Sequence, residues 1–213
     1  MLQVNRAAQV SDTPGFRRMF APGRLTVGVF FPIEAFERDQ PTMRDQERLA
    51  GRAEALGYAA LWTRDVPLRD PHFGDLGQVY DPWVWLGWIA ARTSSIALAT
   101  GSIILPLRHP LHTAKAAASL DRLSGARFVL GVASGDRPVE FPAFGVDAES
   151  RGVLFRENLA LIRQVLTEEF PRANGTVKLS GAWRVGPSPI NDWDEPASRQ
   201  VSLCRPSLPG RGN

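Results

Sequence analysis

The feature that most constrains this chain is a fourfold alternation of short apolar runs with helix-like segments. The apolar runs are Leu25–Phe31 (LTVGVFF), Tyr58–Thr63 (YAALWT), Ile96–Ser102 (IALATGS) and Phe128–Ala133 (FVLGVA), and they begin 33, 38 and 32 residues apart. None alternates polar with apolar residues, so each reads as a strand buried on both faces. Between them, Thr42–Leu56 has apolar residues near helical spacing, with Thr42 as its expected N-cap and Gly57 just past its end. Asp81 caps a second helix with Pro82 at its first position, and His112–Leu123 is an Ala-rich third helix closed by Ser124-Gly125. Ser150–Glu169 is the longest, with Leu154, Phe155, Leu159, Ile162 and Leu166 on one stripe. Strand–helix alternation of this kind predicts parallel β-α units with right-handed crossovers.

Two architectures satisfy that prediction. A doubly wound dinucleotide-binding sheet places a Gly-rich turn after its first strand, where this chain has Pro32-Ile33-Glu34-Ala35-Phe36. A (β/α)8 barrel places long functional loops at the C-terminal ends of its strands, and Arg64–Tyr80 and Ser134–Asp147 occupy that position. The pattern favours an α/β fold of the (β/α)8 TIM-barrel type. Only four units precede Glu169, so the expected organisation is an N-terminal arm over 1–24, a half barrel over 25–170, and an irregular tail over 171–213. That tail is rich in Pro, Gly, Ser and Arg, with one weak strand near Val177–Val185.

Charge narrows the function classes. The net charge of +3 comes from the flanks: residues 1–24 and 171–213 each carry +3, while 25–170 carry 15 basic and 18 acidic residues. A nucleic-acid partner is not expected, because the folded part lacks the positive face that displaces counterions from phosphates. The single cysteine, Cys204, excludes an internal disulfide framework and a multi-Cys zinc site, and no His/Asp/Glu cluster has metal-ligand spacing. The longest apolar runs, Trp83–Ala91 and Ile96–Leu107, are too short to span a bilayer. A soluble, cytoplasmic protein is expected.

Five stretches then occur in a telling order: Leu25–Pro32, Ala53–Asp65 (AEALGYAALWTRD), Ala99–Pro110 (ATGSIILPLRHP), Leu120–Ala133 (LDRLSGARFVLGVA) and Gly135–Gly145 (GDRPVEFPAFG). Together they resemble the bacterial-luciferase-like flavin monooxygenases. The resemblance covers roughly 25–170 and implies a flavin-dependent oxidoreductase. The implied chemistry uses reduced flavin mononucleotide (FMN) and oxygen on a small organic substrate, with a separate flavin reductase, or a deazaflavin for hydride transfer; a further reading is an inactive truncated fragment of such an enzyme. Val66 and Ala133 stand where luciferase itself has a functional histidine and a reactive-site cysteine. The resemblance therefore does not carry light emission.

Candidate site residues fall at the strand ends. Ser134, Gly135 and Arg137 form the loop that touches flavin in the resembled family. Backbone N–H groups and a guanidinium suit a phosphate there, while Arg137 can equally pair with Asp136 or Glu140. Small Thr100, Gly101 and Ser102 leave room for a flat ring and offer hydroxyls, or else serve tight packing around Gly101. Asp65 is a candidate catalytic carboxylate that can orient a base, or an ion-pair partner of Arg64 or Arg69. His109 is a candidate catalytic group bonding a carbonyl oxygen, or a cap of the following helix. One of Phe30 and Phe31 is expected to line the pocket. A half barrel leaves unpaired edge strands, so a homo-oligomer is expected.

Overall fold

The computed structural model describes residues 13–35, 39–74, 77, 79–168, 171–175, 177–179 and the backbone of 203 and 204. The four apolar runs form strands β1 (Gly28–Phe30), β2 (Ala60–Thr63), β3 (Ala97–Thr100) and β5 (Phe128–Ala133), and a short β4 (Ile103–Ile104) follows β3. Strands β1, β2, β3 and β5 lie side by side in chain order, and all pairings are parallel. Gly28 is opposite Ala60, Ala60 is opposite Ala97, Leu98 is opposite Phe128, and β4 joins the far end of β5 through Ile103 and Val132.

The major helices are α2 (Gln46–Ala55), α3 (Pro82–Ala90), α4 (Pro110–Leu123) and α6 (Arg151–Thr167). Leu61, Leu98, Phe128 and Leu130 point to one face of the sheet, where they meet Ala50 and Ala53 of α2, Leu86 and Ile89 of α3, Ala114 and Ala117 of α4, and Ile162 and Val165 of α6 in a single core. A doubly wound sheet carries helices on both faces and reverses its strand order. Here these four helices cover one face, and the order of the four main strands β1, β2, β3 and β5 does not reverse. The result is an alternating β-α parallel sheet of the TIM-barrel type. The opposite face is lined by small residues. Ala60, Ala97, Ala99 and Val129 pack against Met19, which lies on a short helix α1 (Pro14–Met19).

Helix α1 was not expected from the sequence. It is one and a half turns long and has no repeating apolar stripe. It is fixed by Thr13 at its N-cap, by Pro14 and by tertiary contact: Gly15 N–H donates to Ala126 O at 3.1 Å, and a Cβ at Gly15 would collide with the Arg127 carbonyl. Helix α2 begins at Gln46, not at Thr42. The Thr42 hydroxyl is bound to Glu34 at 2.7 Å, and Met43 and Asp45 adopt left-handed backbone (φ 55° and 56°) that no helix can include. Helix α4 begins at Pro110 instead of near His112, because proline needs no N–H partner in the first turn.

After Thr167 the chain forms a two-residue hairpin, β6 (Ala173–Asn174) with β7 (Lys178–Leu179). The region read as irregular also contains β8 (Leu203–Cys204), which pairs parallel with Leu130 and Gly131 of β5. Residues 180–202 and 205–213, including most of the weak strand expected near Val177–Val185, lie outside the described residues.

Two charged side chains tie the N-terminal ends of the strands to the helices. Arg127 is 6% exposed, yet it donates to the carbonyls of Ser124, Ile96, Ala90 and Thr93 and to the Thr93 hydroxyl at 2.7–3.1 Å. Two of those acceptors, Ala90 O and Thr93 O, end α3 and follow it, so the guanidinium meets the negative end of the helix dipole. Glu54 faces the start of β3 and accepts the N–H groups of Ser94, Ser95 and Ile96 at 2.9, 2.6 and 2.8 Å. Burial pushes the Glu54 carboxyl up, but the N–H donors of Ile96, Ser95 and Ser94 outweigh it and hold it below the usual range.

A depressed carboxylate contributes stability above its unfolded pKa and loses it as the pH falls through its folded pKa. Glu54→Gln should therefore cost about 1–2 kcal/mol near neutral pH. The difference from wild type should vanish below the ordinary carboxylate range, as measured by urea denaturation at a series of pH values.

Candidate active site

The C-terminal ends of β1, β2, β3 and β5 open on a cleft of about 380 Å³. Phe30 forms one wall, Arg64, Asp65 and Val66 come from the loop after β2, Gly101 and Ser102 follow β3, Ala133 ends β5, and Ser134 to Arg137 follow it. Two larger hollows, about 940 Å³ between α2 and α3 and about 820 Å³ beside α1, lie away from the strand ends. Size alone therefore does not mark the site. The cleft at the strand ends is where side chains from several units converge, as in functional sites of barrels.

Missing side chains shape its floor. A Cβ at Gly101 would lie 3.0 Å from the Phe30 ring and 3.2 Å from Trp62. Those two rings stack with centroids 5.7 Å apart. The Gly101–Ser102 peptide is cis. Gly135 turns the loop after β5 with φ +86°, and a Cβ there would lie 2.8 Å from Ile104, so only glycine lets the loop pass this close to β4. Gly101 thus lies close under the Phe30 and Trp62 rings, and Ser102 and Ser134 bring polar groups to the cleft lining.

Asp65 is buried beside the cleft and fully engaged. Its carboxylate accepts Ile104 N–H at 3.0 Å and takes Arg108 in a bidentate pair at 2.8 and 2.6 Å. Arg108 also reaches Asp81 at 3.1 Å, whose other oxygen caps α3 through Trp83 and Val84. Burial would lower the Arg108 pKa, but the hydrogen bonds and charges of Asp65 and then Asp81 outweigh it, and the net shift is upward. The partners expected from the sequence are engaged elsewhere. Arg69 pairs with Asp39 at 2.6 Å, and Arg64 lies 5.6 Å from the Phe30 ring centre. Arg108 was missed because it is 43 residues from Asp65; only its position just before His109-Pro110, at the end of the third unit, hints that it reaches back to the second.

The cleft brings together Asp65, Gly101, Ser102, Ser134, Gly135 and Arg137. Thr100 and His109 are not among its lining. The Thr100 hydroxyl both donates to Gly131 O and accepts Gly131 N–H at 2.9 Å, taking the place of a ladder bond between β3 and β5. His109 is the N-cap of α4, with Nδ1 accepting Leu111 N–H at 3.3 Å. His72 is exposed in the long loop. Of the two phenylalanines ending β1, Phe30 lines the cleft, while Phe31 is buried edge-on against Trp85. Val66 and Ala133 both line the cleft.

Arg137 is 4% exposed and forms part of the cleft wall, with the Phe73 ring centre 4.6 Å from its guanidinium carbon. Next to it lies Glu140, which the sequence offered only as an ion-pair partner. Burial pushes the Glu140 carboxyl up; the Arg137 charge and the Leu68 N–H pull it down, Asp65 and Asp136 add to the rise, and the net shift is upward. Among the described residues, no group of three or more His, Cys, Asp or Glu gathers to hold a metal ion, and no helix is long and apolar enough to cross a membrane.

A sequential parallel sheet with a cleft at its strand ends beside a buried arginine is the TIM-barrel-type arrangement of β-α units. The family model of the luciferase-like monooxygenases matches residues 25–192, so the chain belongs to that family. The match extends beyond residue 170, where the resemblance read from the sequence stopped. The chain is 32% identical, over 70% of its length and 39% of the relative's, to 4-hydroxyprotoasukamycin monooxygenase of Streptomyces nodosus subsp. asukaensis. Among solved structures it resembles monooxygenase RslO1 of Streptomyces bottropensis, with a TM-score of 0.67 and 28% identity, over 77% of this chain and 50% of that one. Two more distant structures share the fold. One is the oxygenating constituent of 3,6-diketocamphane monooxygenase of Pseudomonas putida in complex with FMN (TM-score 0.67, 17% identity, 84% of this chain and 50% of that one). The other is an F420-dependent secondary alcohol dehydrogenase with an F420–acetone adduct (TM-score 0.64, 21% identity, 78% and 50%). The chain spans about half the length of these proteins or less.

Removing Asp65 would leave Arg108 beside the rim with its best partner gone. Breaking a buried pair from one side is strongly destabilising, and the partial exposure of Arg108 moderates this. Asp65→Ala should cost about 3 kcal/mol, measured by chemical denaturation, and Asp65→Asn should cost less. An unchanged midpoint in Asp65→Ala would show that the pair does not hold the strand ends together.

Proposed function

We propose that this chain carries the flavin-facing half of a flavin-dependent oxidoreductase, a monooxygenase that uses reduced FMN and oxygen on a small organic substrate. The observation that carries the proposal is the cleft floored by Gly101 and walled by Arg137. A flat ring packs against small residues and an aromatic face, here Gly101 and Phe30, and the phosphate of FMN needs a cation in a water-poor wall. Both are present, so the residues fit the cofactor. Gly101 and Phe30 would face the ring, Ser102 and Ser134 would offer hydrogen bonds to its polar edge, and Arg137 would meet an anionic group. When bound, reduced FMN supplies the electrons with which oxygen is activated. The chain's own part is to hold the ring, to exclude water with Phe30, Val66 and Ile104, and to keep the loop after β5 fixed.

Asp65 acts in this proposal by positioning. With both oxygens engaged by Ile104 and Arg108, it holds the rim in place. His109 acts at the start of α4, and Thr100 holds β3 to β5 so that Gly101 and Ser102 keep their places. A second reading is hydride transfer with a deazaflavin, favoured by the likeness to the F420-dependent alcohol dehydrogenase. A floor of glycine suits either ring. Titration with FMN and with a deazaflavin cofactor separates the two, since each reading predicts tighter binding of its own cofactor.

The proposal includes a separate flavin reductase as the source of reduced FMN, and self-association of the chain. Strand β1 pairs only with β2 among the described residues, and Leu25 and Val27 beside it are exposed. Edge strands of this kind seek partners. Sedimentation velocity should show dimers or larger species; a stable monomer across the concentration range would refute this part.

Flavin binding is read by quenching of FMN fluorescence with the purified chain. Arg137→Ala should weaken binding about tenfold or more, the worth of one charge-assisted hydrogen bond. Gly101→Val should weaken it strongly, because the added side chain would displace the Phe30 and Trp62 rings. Arg172→Ala, on the exposed segment after α6, should leave it unchanged. Equal affinity in all four proteins would place the flavin elsewhere.

A further inference from the structure

Glu140 stands behind the cleft wall and has no part in the site as described. It begins a short helix α5 (Glu140–Ala143), its side chain is 1% exposed, and it does not itself line the cleft. Its Oε1 is enclosed and has no hydrogen-bond partner among the described residues. A buried carboxylate oxygen without a donor is unusual, because buried polar groups are ordinarily satisfied.

Among the described residues, three charged groups face Glu140. Arg137 and Asp136 come from the loop after β5, Asp65 comes from the end of β2, and the Leu68 N–H comes from the loop after β2. Two of the three acids are settled. Asp65 is locked to Arg108 by two hydrogen bonds, and Asp136 is exposed to solvent. Glu140 is enclosed, and no ion pair within 4 Å holds it among the described residues, so its charge is the one that the site can most easily give up. Burial already favours its protonated form.

An anion that settles against Arg137 brings negative charge into the same wall. Two negative charges in one low-dielectric neighbourhood disfavour each other, so a proton on one of them relieves the pair. We infer that Glu140 is a proton-linked control on anion binding in this cleft: an anionic group meets Arg137 as Glu140 takes up a proton. The inference rests on the flavin reading above and names a regulation of the same site.

Linkage fixes the sign. A nearby anion raises the Glu140 pKa further, so affinity is greatest where Glu140 is already protonated and falls as the pH rises through its pKa in the empty protein. A unit charge several ångströms away in a partly screened wall changes affinity about tenfold.

The test is FMN titration by fluorescence quenching at the two ends of a series from about pH 4 to about pH 8, which spans the ordinary carboxyl range and the side above it, with wild type and Glu140→Gln. The phosphate of FMN titrates identically in both experiments, so the ratio of the two affinities isolates Glu140. The two proteins should bind alike at the lower pH, and Glu140→Gln should bind about tenfold tighter than wild type at the higher pH. A second measurement needs no variant. Calorimetry of the wild type in buffers of different ionisation enthalpy should show net proton uptake with FMN and none with riboflavin. An arginine beside a phosphate by itself favours proton release, the opposite sign.

Equal affinities of the two proteins at both pH values, weaker binding by Glu140→Gln at both, or net proton release would each overturn the inference while leaving the flavin reading intact. FMN that binds neither protein at either pH would overturn both.

Discussion

The rim of the cleft depends on the bidentate pair between Asp65 and Arg108. Parallel strands end abruptly, and the loop after each strand must be anchored by something other than the ladder. Asp65 supplies that anchor for three units at once. It closes the end of β2, takes the N–H of Ile104 in β4, and holds Arg108, which in turn reaches the cap of α3 at Asp81. An ion pair so placed costs desolvation, and the compensation is geometric: both oxygens and three N–H donors are used. The loops that would hold a cofactor hang from this frame.

Small residues do the complementary work. Gly101 lies under two stacked rings and Gly135 lies against Ile104, and neither position can take a side chain without moving its neighbours. The inner face of the sheet is similarly spare, with Ala60, Ala97 and Ala99. Dispersion and apolar burial lost there are recovered on the outer face, where Leu61, Leu98, Phe128 and Leu130 are buried beneath the helices. Stability is thus concentrated on the helical side, and the side where the cleft opens is left shallow and polar-rimmed.

The long loop after β2 has a related role. Its Phe73 ring faces Arg137, and its Leu68 N–H meets Glu140. The loops of the second and fourth units therefore enclose the same guanidinium and the same carboxyl from opposite sides. Charge and proton state in the wall are consequently properties of two loops together, which ties the chemistry of the cleft to the packing of the 64–80 segment.

Periodicity and punctuation in the sequence determined the β-α alternation, the parallel sheet, the cap at Asp81-Pro82 and the placing of Gly101, Ser102 and Ser134–Arg137 at strand ends. These are local properties, set by burial on both strand faces, helical spacing and proline's missing donor. Only the tertiary structure decided the rest. Thr42 could not cap α2, because Glu34 claims its hydroxyl and Asp45 turns the backbone the other way. The hydroxyl of Thr100 could not be known to serve Gly131 until β3 and β5 were side by side. Helix α1 has too few residues to carry a period, and it exists through Met19 and Gly15 meeting residues far along the chain. Above all, the sequence offered Asp65 two nearby arginines, and the fold chose a third, Arg108. Charge pairing depends on distance in space, and chain closure makes that distance independent of separation along the sequence.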